Sequence, residues 1–521
     1  MMDVTALFDP ASPSLDVVRL VILAVVGLTT LFCVGWWLFW SRTADPSKLI
    51  NVVYDEERIA RAAKVDKTEE KILVVGAGFS GLAVGASFKR HGIPIDIVDA
   101  NEEIGGNWFN GVYNDVHIIS SRLETEYKDY PMPKNYPEFP SKAQMLAYLK
   151  SYAAHWGVLP MVRLETEVEH IAPNDGCGNS YTVTIKTKTA GHQGEAVSPQ
   201  KHVYKGVIVC TGHHRNRRWP KLEGTFSGEM IHSKDYKTRE QLRGKRVLTL
   251  GGGNSAMDVN ADAAQVAAEA HASLRRGHWI LPRTGFGLPL GRLITPWWPT
   301  WFVRRYTKWL LRIAVGDYRS YGLQKPDHDL YELHPTIHDT FLHYLKLGRI
   351  IPHPGVKSVD GKEVTFVDGK TITVDMIVCA TGYHLTYPLC EPTLTYWDAG
   401  VPKLIEGAFM PGKKNYVIFG TQQPRYGAGA LMCRLAELIS VLVKVQEGMQ
   451  HPYADVAMKA GIMRYEKRPN KLTPDLLQDP FVATMKMNLA TAAAPVLLPI
   501  IERVYEAVLS ITRSKIHTHN A

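Results

Sequence analysis

The feature that most constrains this chain is one local design that occurs twice. Lys71–Val75 is a short apolar run that breaks into Gly76-Ala-Gly78-Phe79-Ser80-Gly81. From Gly76 it is 175 residues to Gly251, where the run Val247–Leu250 breaks into Gly251-Gly-Gly253-Asn254-Ser255-Ala256. Each run reads as a buried strand and each continuation as a helix. In such a turn the first glycine permits the tight bend. The second lets backbone approach a pyrophosphate, and a small third residue lets the helix lie on the strand. The N-terminus of the helix then faces the anion. Two such turns predict an α/β chain of two Rossmann-like, three-layer dinucleotide-binding domains.

The residues after each loop separate the two. After the first, the strand-like PIDIVDA ends at Asp99, 23 residues beyond Gly76, where a carboxylate can accept ribose hydroxyls. Gly105-Gly106-Asn107-Trp108 follows, paired glycines that suggest backbone held close to a bulky ligand. After the second loop the strand should end near Leu274, and Arg275 and Arg276 stand where an acid would be expected. A carboxylate repels a 2′-phosphate, whereas guanidinium groups pair with it. The second loop therefore suits NADPH and the first a cofactor without that phosphate. Together they suggest a relay in which a nicotinamide donor in one domain reduces a flavin in the other.

Two further runs, KGVIVCTG at 205–212 and TITVDMIVCA at 371–380 followed by Thr381-Gly382-Tyr383, read as strands ending where the chain crosses between interleaved domains. The expected partition is a first FAD-binding part at 70–215, an NADPH-binding domain at 216–350, and a return to the FAD domain at 351–450. A tail follows at 451–521. The last cofactor-domain piece is expected at 415–443, where Gly420, Gly427 and Gly429 precede a helix.

Leu20–Trp40 is 21 residues without a charge. As a helix it spans roughly 30 Å, the thickness of a bilayer core. Trp36, Trp37 and Trp40 gather at one end, as interfacial aromatics do, and the basic residues Arg42, Lys48, Arg58, Arg61 and Lys64 follow. The expectation is a single-pass anchor with residues 1–19 outside, a charged linker at 41–69, and the catalytic part on the cytoplasmic side. The six cysteines form no CxxC pair, which argues against a dithiol reductase. The net charge of +9 fits anionic cofactors and membrane proximity, and no nucleic-acid partner is expected.

Between the loops lies Phe226-Ser-Gly228-Glu-Met-Ile-His232, followed by Tyr236. With GAGFSG, GGNW, GGGNSAMD, SLRRGHW at 273–279 and CATGY at 379–383, the chain resembles the flavin-containing monooxygenase family over roughly 70–450. The resemblance implies FAD reduced by NADPH, and reaction with O2 to a C4a-(hydro)peroxyflavin. One oxygen atom then passes to a soft nucleophilic nitrogen or sulfur of a small, lipophilic substrate. It implies that Gly76, Gly78, Phe79, Ser80, Gly81, Asp99, Gly106, Asn107, Trp108, Thr381 and Gly382 serve FAD. Gly251, Gly253, Asn254, Ser255, Ala256, Arg275 and Arg276 would serve NADPH, and His232 would order the interdomain linker. Related Baeyer–Villiger enzymes usually place Trp-Pro where this chain has Tyr236-Lys237, which leans toward heteroatom oxygenation. Many family members carry an asparagine whose amide helps hold NADP⁺ and the oxygenated flavin, and Ile119 stands there here. Ser120, Ser121 and Arg122 are the substitute donors. Without one, the chain would behave as an uncoupled NADPH oxidase that makes hydrogen peroxide. A ketone-oxidising enzyme and a non-catalytic membrane scaffold are the other readings.

No metal site is expected: His334 and His338 lack an accompanying carboxylate set and read as capping or surface residues. Residues 297–312, WWPTWFVRRYTKWLLR, interleave tryptophan with basic residues. They read as an interfacial membrane segment within an insertion near 290–315, or as a cover over the substrate entrance. LATAAAPVLLPII at 489–501, continuing to 511, reads as a surface-lying amphipathic helix.

Overall fold

The computed structural model describes residues 54–188, 198–293, 300–395, 397–398, 401–424, 427–461, 463, 476–478, 490 and 493–503. The expected anchor at 20–40, the segment before it and the linker up to residue 53 lie outside the described residues. Among those described, no helix is long and apolar enough to cross a membrane.

Ile72–Val75 is the centre of a five-stranded parallel sheet. It pairs with Ile95–Val98 on one side and Gly206–Val209 on the other, and Val162–Arg163 and Tyr416–Ile418 form the edges. Successive side chains of a strand point to opposite faces, so a strand buried on both faces must be apolar throughout. Ile72 and Val74 pack with Leu82 and Ala86 of helix Phe79–Arg90 and with Leu435 and Leu442 of helix Gly429–Gln446. Leu73 and Val75 face Val183 and Ile185, which belong to an antiparallel sheet of Thr166–Pro173, Tyr181–Thr187 and Gln200–Tyr204.

The second lobe repeats these three layers. Arg246–Leu250 is the central strand, flanked by Glu269–Ser273 and Met376–Cys379, with Ile351–His353 and Glu229–His232 at the edges. Val247 packs with Met257 and Val259 of helix Asn254–Val266. Leu248 and Leu250 face Val359, Val364 and Phe366 of a four-stranded mixed sheet, in which Val356–Gly361 pairs antiparallel with Glu363–Phe366 and parallel with Glu223–Phe226.

The domain boundaries differ from the expected ones. Met376–Cys379 pairs with Val247–Leu250, so residues 351–379 belong to the second lobe and the return to the first begins only after Gly382. The apolar run marks a buried strand correctly, but such a run carries nothing that says which of two similar sheets it joins. The first-lobe core also extends past 450, through Tyr453, Val456 and Ala457. Within the expected linker, Glu56–Ala62 is a helix docked by Arg58, whose Nε donates to the Gly92 carbonyl (3.1 Å) and whose Nη2 meets Glu447 (3.0 Å). Residues 493–503 are helical, with Ala494 and Leu498 in the first-lobe core and Val496, Leu497 and Ile500 exposed.

Candidate active site

Both glycine loops lie at the carboxyl end of a central strand, where the next strand in sequence leaves on one side and a later strand closes the other. In the first lobe, Gly76 adopts φ +107 and Gly105 donates its N–H to the Ala77 carbonyl (2.9 Å). The GGNW turn is thereby folded onto the phosphate loop: a β-carbon on Gly106 would lie 2.9 Å from Gly78 Cα. Phe79 stacks on Tyr127 with ring centroids 4.4 Å apart, and the Tyr127 hydroxyl donates to the Phe79 carbonyl. The Ser80 hydroxyl rests against Gly420, and Trp108 packs on the first-lobe core. Buried Asp99 accepts from Ala77 N–H (2.7 Å) and, through its other oxygen, from Asn101 N–H (2.9 Å) and Nδ2 (2.8 Å). The carboxylate is thus fixed beside the turn that would carry the pyrophosphate.

Helix Phe79–Arg90 is locked to helix Gly429–Gln446 by polar contacts. Ser87 meets Ser440 (2.7 Å), His91 at the helix end meets Glu437 (2.6 Å), and Arg90 lies 4.0 Å from Glu437 while it also reaches Asp129 (2.6 Å) outside that helix. Burial opposes the charge on Glu437, yet hydrogen bonding and attraction from His91, with Arg90 beyond, hold its carboxyl below the usual range.

In the second lobe Thr336 Oγ1 donates to the Gly252 carbonyl (2.6 Å), and Asn254 Oδ1 accepts from Ile337 N–H (2.8 Å). Nothing lies within 4 Å of where a β-carbon on Gly253 would stand, so the loop is open on the side a diphosphate must approach. The strand expected to end near Leu274 ends at Ser273. Arg275 is exposed, Arg276 half-buried, and neither has an ion-pair partner among the described residues. These residues fit an NADPH 2′-phosphate: two guanidinium groups without a salt bridge among the described residues, Arg276 with Asp327 in its neighbourhood, follow the strand that ends beside an open phosphate loop.

His232 sits between the lobes. Nε2 donates to the Gly382 carbonyl (3.0 Å) and Nδ1 accepts from Lys234 N–H (3.2 Å); burial lowers its pKa, so this neutral tautomer is favoured. The Gly382 carbonyl also accepts from Arg218 N–H (3.0 Å), and Thr381 Oγ1 donates to the Arg218 carbonyl. The two crossings of the chain are therefore tied side by side, with Tyr383 paired to Arg217. Both ring nitrogens serve this hinge, and Thr381-Gly382 is part of it.

The substitute donors are engaged locally. Ser120 Oγ is 2.7 Å from Thr125 Oγ1. Ser121 is fully buried, and its N–H and hydroxyl both donate to Glu124 Oε2 (2.8 and 2.7 Å). Ser121-Arg-Leu-Glu124 is a capping box for the turn that follows, and the serine-to-glutamate spacing of three is its mark in the sequence. Arg122 Nη1 donates to the Pro133 carbonyl (3.3 Å).

Several supporting residues have no role assigned by the sequence motifs, although Asp258 is the last residue of GGGNSAMD. Asp258, one turn beyond the second loop, meets the Tyr113 hydroxyl and His338 Nε2 (3.1 Å), with Arg283 at 3.8 Å. His338 also accepts from Phe341 N–H (3.0 Å), so it caps a helix as expected, but from a buried position. Asp258 follows the phosphate loop at helical spacing and thus faces the same side as Ser255. That spacing is the one signal of it that the sequence carries. Among the described residues no group of three or more His, Cys, Asp or Glu could hold a metal ion.

A family model described as FMO-like, flavin-binding monooxygenase-like, matches residues 69–498. The chain belongs to this family. It is accordingly a flavin-dependent monooxygenase, with FAD and NADPH as its cofactors. It is 30% identical to a probable indole-3-pyruvate monooxygenase, YUCCA3 of Arabidopsis thaliana, over 68% of this chain and 83% of that one. It is also 30% identical to flavin-containing monooxygenase 5 of Homo sapiens, over 70% of this chain and 71% of that one. Among solved structures, a flavin-containing monooxygenase from Stenotrophomonas maltophilia is similar with a TM-score of 0.54 at 18% identity, covering 72% of this chain and 98% of that one. OTEMO in complex with FAD and NADP gives 0.58 at 17%, covering 73% and 85%. These structural likenesses show the fold.

Proposed function

We propose that this family member transfers one oxygen atom from O2 to a soft nitrogen or sulfur of a small lipophilic substrate, and that residues 20–40 tether it to a membrane with the catalytic part on the cytoplasmic side. The observation that carries the heteroatom reading is Lys237. Its N–H donates to Gln241 Oε1 (2.6 Å), its Nζ to the Asn110 carbonyl (2.9 Å), and its carbonyl accepts from Asn114 N–H (2.9 Å). The proline usual at this place in ketone-oxidising relatives has no N–H and no amine, so this junction between the lobes is built for a lysine. NADPH supplies the hydride and FAD activates oxygen. The chain's own residues hold the two cofactors, exclude water and keep the lobes in register.

Two observations favour the alternatives. Relatives named for indole-3-pyruvate act on a substrate with a carbonyl, which supports carbonyl-carbon oxidation. The hydroxyls of Ser120 and Ser121 are spent within their own turn, which supports loss of reducing equivalents as hydrogen peroxide. The test is NADPH consumption by the full-length holoenzyme with a tertiary amine, a sulfide and a ketone, scored for oxygenated product and peroxide. Product from amine or sulfide in near-stoichiometric ratio to NADPH is expected. Product from ketone alone, or peroxide matching NADPH with every substrate, overturns the proposal. Protease protection of residues 1–19 in sealed vesicles tests the orientation, and their cleavage from the cytoplasmic face would refute it.

A further inference from the structure

Helix Thr300–Ala314 lies on the second lobe with one face seated. Val303, Thr307, Leu310 and Leu311 are buried, and at 100° per residue they fill an arc about 100° wide. The opposite arc carries Trp301, Arg305, Trp309, Arg312 and Ile313. Trp301 is 64% exposed, Trp309 54% and Ile313 63%, although an isolated helix face of a soluble lobe gains nothing by presenting two indoles and an isoleucine to water. Arg305 and Arg312 are exposed beside them and have no ion-pair partner among the described residues. Their neighbours behave otherwise: Arg304 reaches Asp329 at 3.6 Å, and Lys308 pairs with the same carboxylate. The helix contains no acid, so its bare face has one sign of charge.

A second element of the same insertion presents another bare aromatic. Thr284–Gly285 pairs with Leu288–Pro289, and Phe286 at the tip of this hairpin is 78% exposed at a φ of +52. A bulky residue in that left-handed region is uncommon. The hairpin leads into Leu290–Leu293, whose leucines pack against the cluster of Val303 and Leu311. Hairpin and helix thus form one unit.

We propose that the face formed by residues 284–293 and 300–314 is a lipid-contacting surface that lies flat in the interface of an anionic bilayer. The indoles of Trp301 and Trp309 sit at head-group depth, Ile313 and Phe286 reach the acyl chains, and Arg305 and Arg312 pair with lipid phosphates. The argument is charge complementarity: guanidinium groups without acid partners, interleaved with amphipathic rings, match a boundary that is anionic on one side and apolar on the other. The proposal rests on the exposure of this unit and is independent of the oxygen chemistry and of residues 20–40.

The test uses the full chain reconstituted in vesicles of phosphatidylcholine and phosphatidylglycerol with brominated acyl chains, read by quenching of tryptophan emission. Two of the chain's 12 tryptophans are at issue, so Trp301→Phe with Trp309→Phe is expected to lower the quenched share by up to about one sixth. Trp36, Trp37 and Trp40 are untouched, so quenching from an anchor would persist in both proteins. Arg305→Gln with Arg312→Gln keeps both indoles and is expected to lower quenching in mixed vesicles but not in phosphatidylcholine alone. An unchanged quenched share in the paired tryptophan variant overturns the proposal. So does a concentration-dependent dimer in detergent that the tryptophan substitutions abolish, which assigns the face to a second copy.

Discussion

In the first lobe, the β-carbon that Gly76 lacks would fall 2.6 Å from the Cys210 carbonyl oxygen; in the second, that of Gly251 would fall 2.3 Å from the Ala380 carbonyl oxygen. Both glycines have positive φ, and both are crowded by the residue just before a Thr-Gly turn on the neighbouring strand. Beneath the cofactor the two lobes are therefore built alike, and this shared part fixes where a diphosphate can lie. Past the end of the second strand they part. The first has Asp99, buried and held by three N–H donors, whereas the second has two guanidinium groups without ion-pair partners among the described residues. On the reading proposed here the common scaffold would position the phosphates, and a few side chains one strand away would select the nucleotide of each lobe.

The sharpest way to break the comparison is at the third loop position. A β-carbon on Gly81 would fall 1.8 Å from the Gly76 carbonyl oxygen, whereas the second lobe already carries Ala256. Gly81→Ala is expected to yield protein largely devoid of flavin, while Ala256→Gly changes the KM for NADPH by only a few-fold. Flavin content after purification reads the first and steady-state kinetics the second; retention of FAD by the Gly81 variant would show that the first loop tolerates a β-carbon there as the second does. Next in size is Arg275→Ala with Arg276→Ala. Hydrogen bonds to charged groups contribute about 1.5–3 kcal/mol each, so the preference for NADPH over NADH should fall roughly 100-fold with flavin content unchanged. An equal loss with NADH would remove the arginines from 2′-phosphate recognition. Asp99→Asn comes third, with FAD held about 10-fold more weakly in an equilibrium titration of apoprotein.

The smallest effect is on pH. Burial, with nearby positive charge, lowers His278 to about 4, and burial beside His271 lowers His353 to about 4, both in the second lobe. At the hinge, His214 is lowered to about 3 by the same kind of cause. Between these values and the unfolded value of about 6.5, the unfolded chain binds more protons than the folded one. Stability is thus fully present above pH ~6.5 and falls as pH drops toward ~4. Thermal melts across that window should show His278→Gln flattening the slope. A slope identical to wild type would mean His278 is not held neutral in the fold.

Much of this site is legible in the amino-acid sequence. The strand–glycine–helix units, Asp99, the GGNW turn and the arginine pair lie where local pattern places them, because each is decided within about 30 residues of chain. Residues 376–379 are recognisable as a strand, yet their place in the chain suggests the first sheet and the structure puts them in the second. Ser121 has the chemistry of a donor, but Glu124 three residues on already marks it as a cap. The Asp258–Tyr113–His338 group leaves no local pattern because its members are 145 and 80 residues apart.

By itself the sequence determined the local design that fits two dinucleotides: glycine where backbone would approach a phosphate, and a carboxylate or guanidinium groups where a ribose or its phosphate would end. Those choices act over a few ångströms and need only the local turn to be expressed. Only the tertiary structure decided which apolar run completes which sheet, which hydroxyls remain available, and how His232 ties the two crossings together. These depend on contacts between segments far apart in the chain, where one buried strand or one serine looks like another until its neighbours are known.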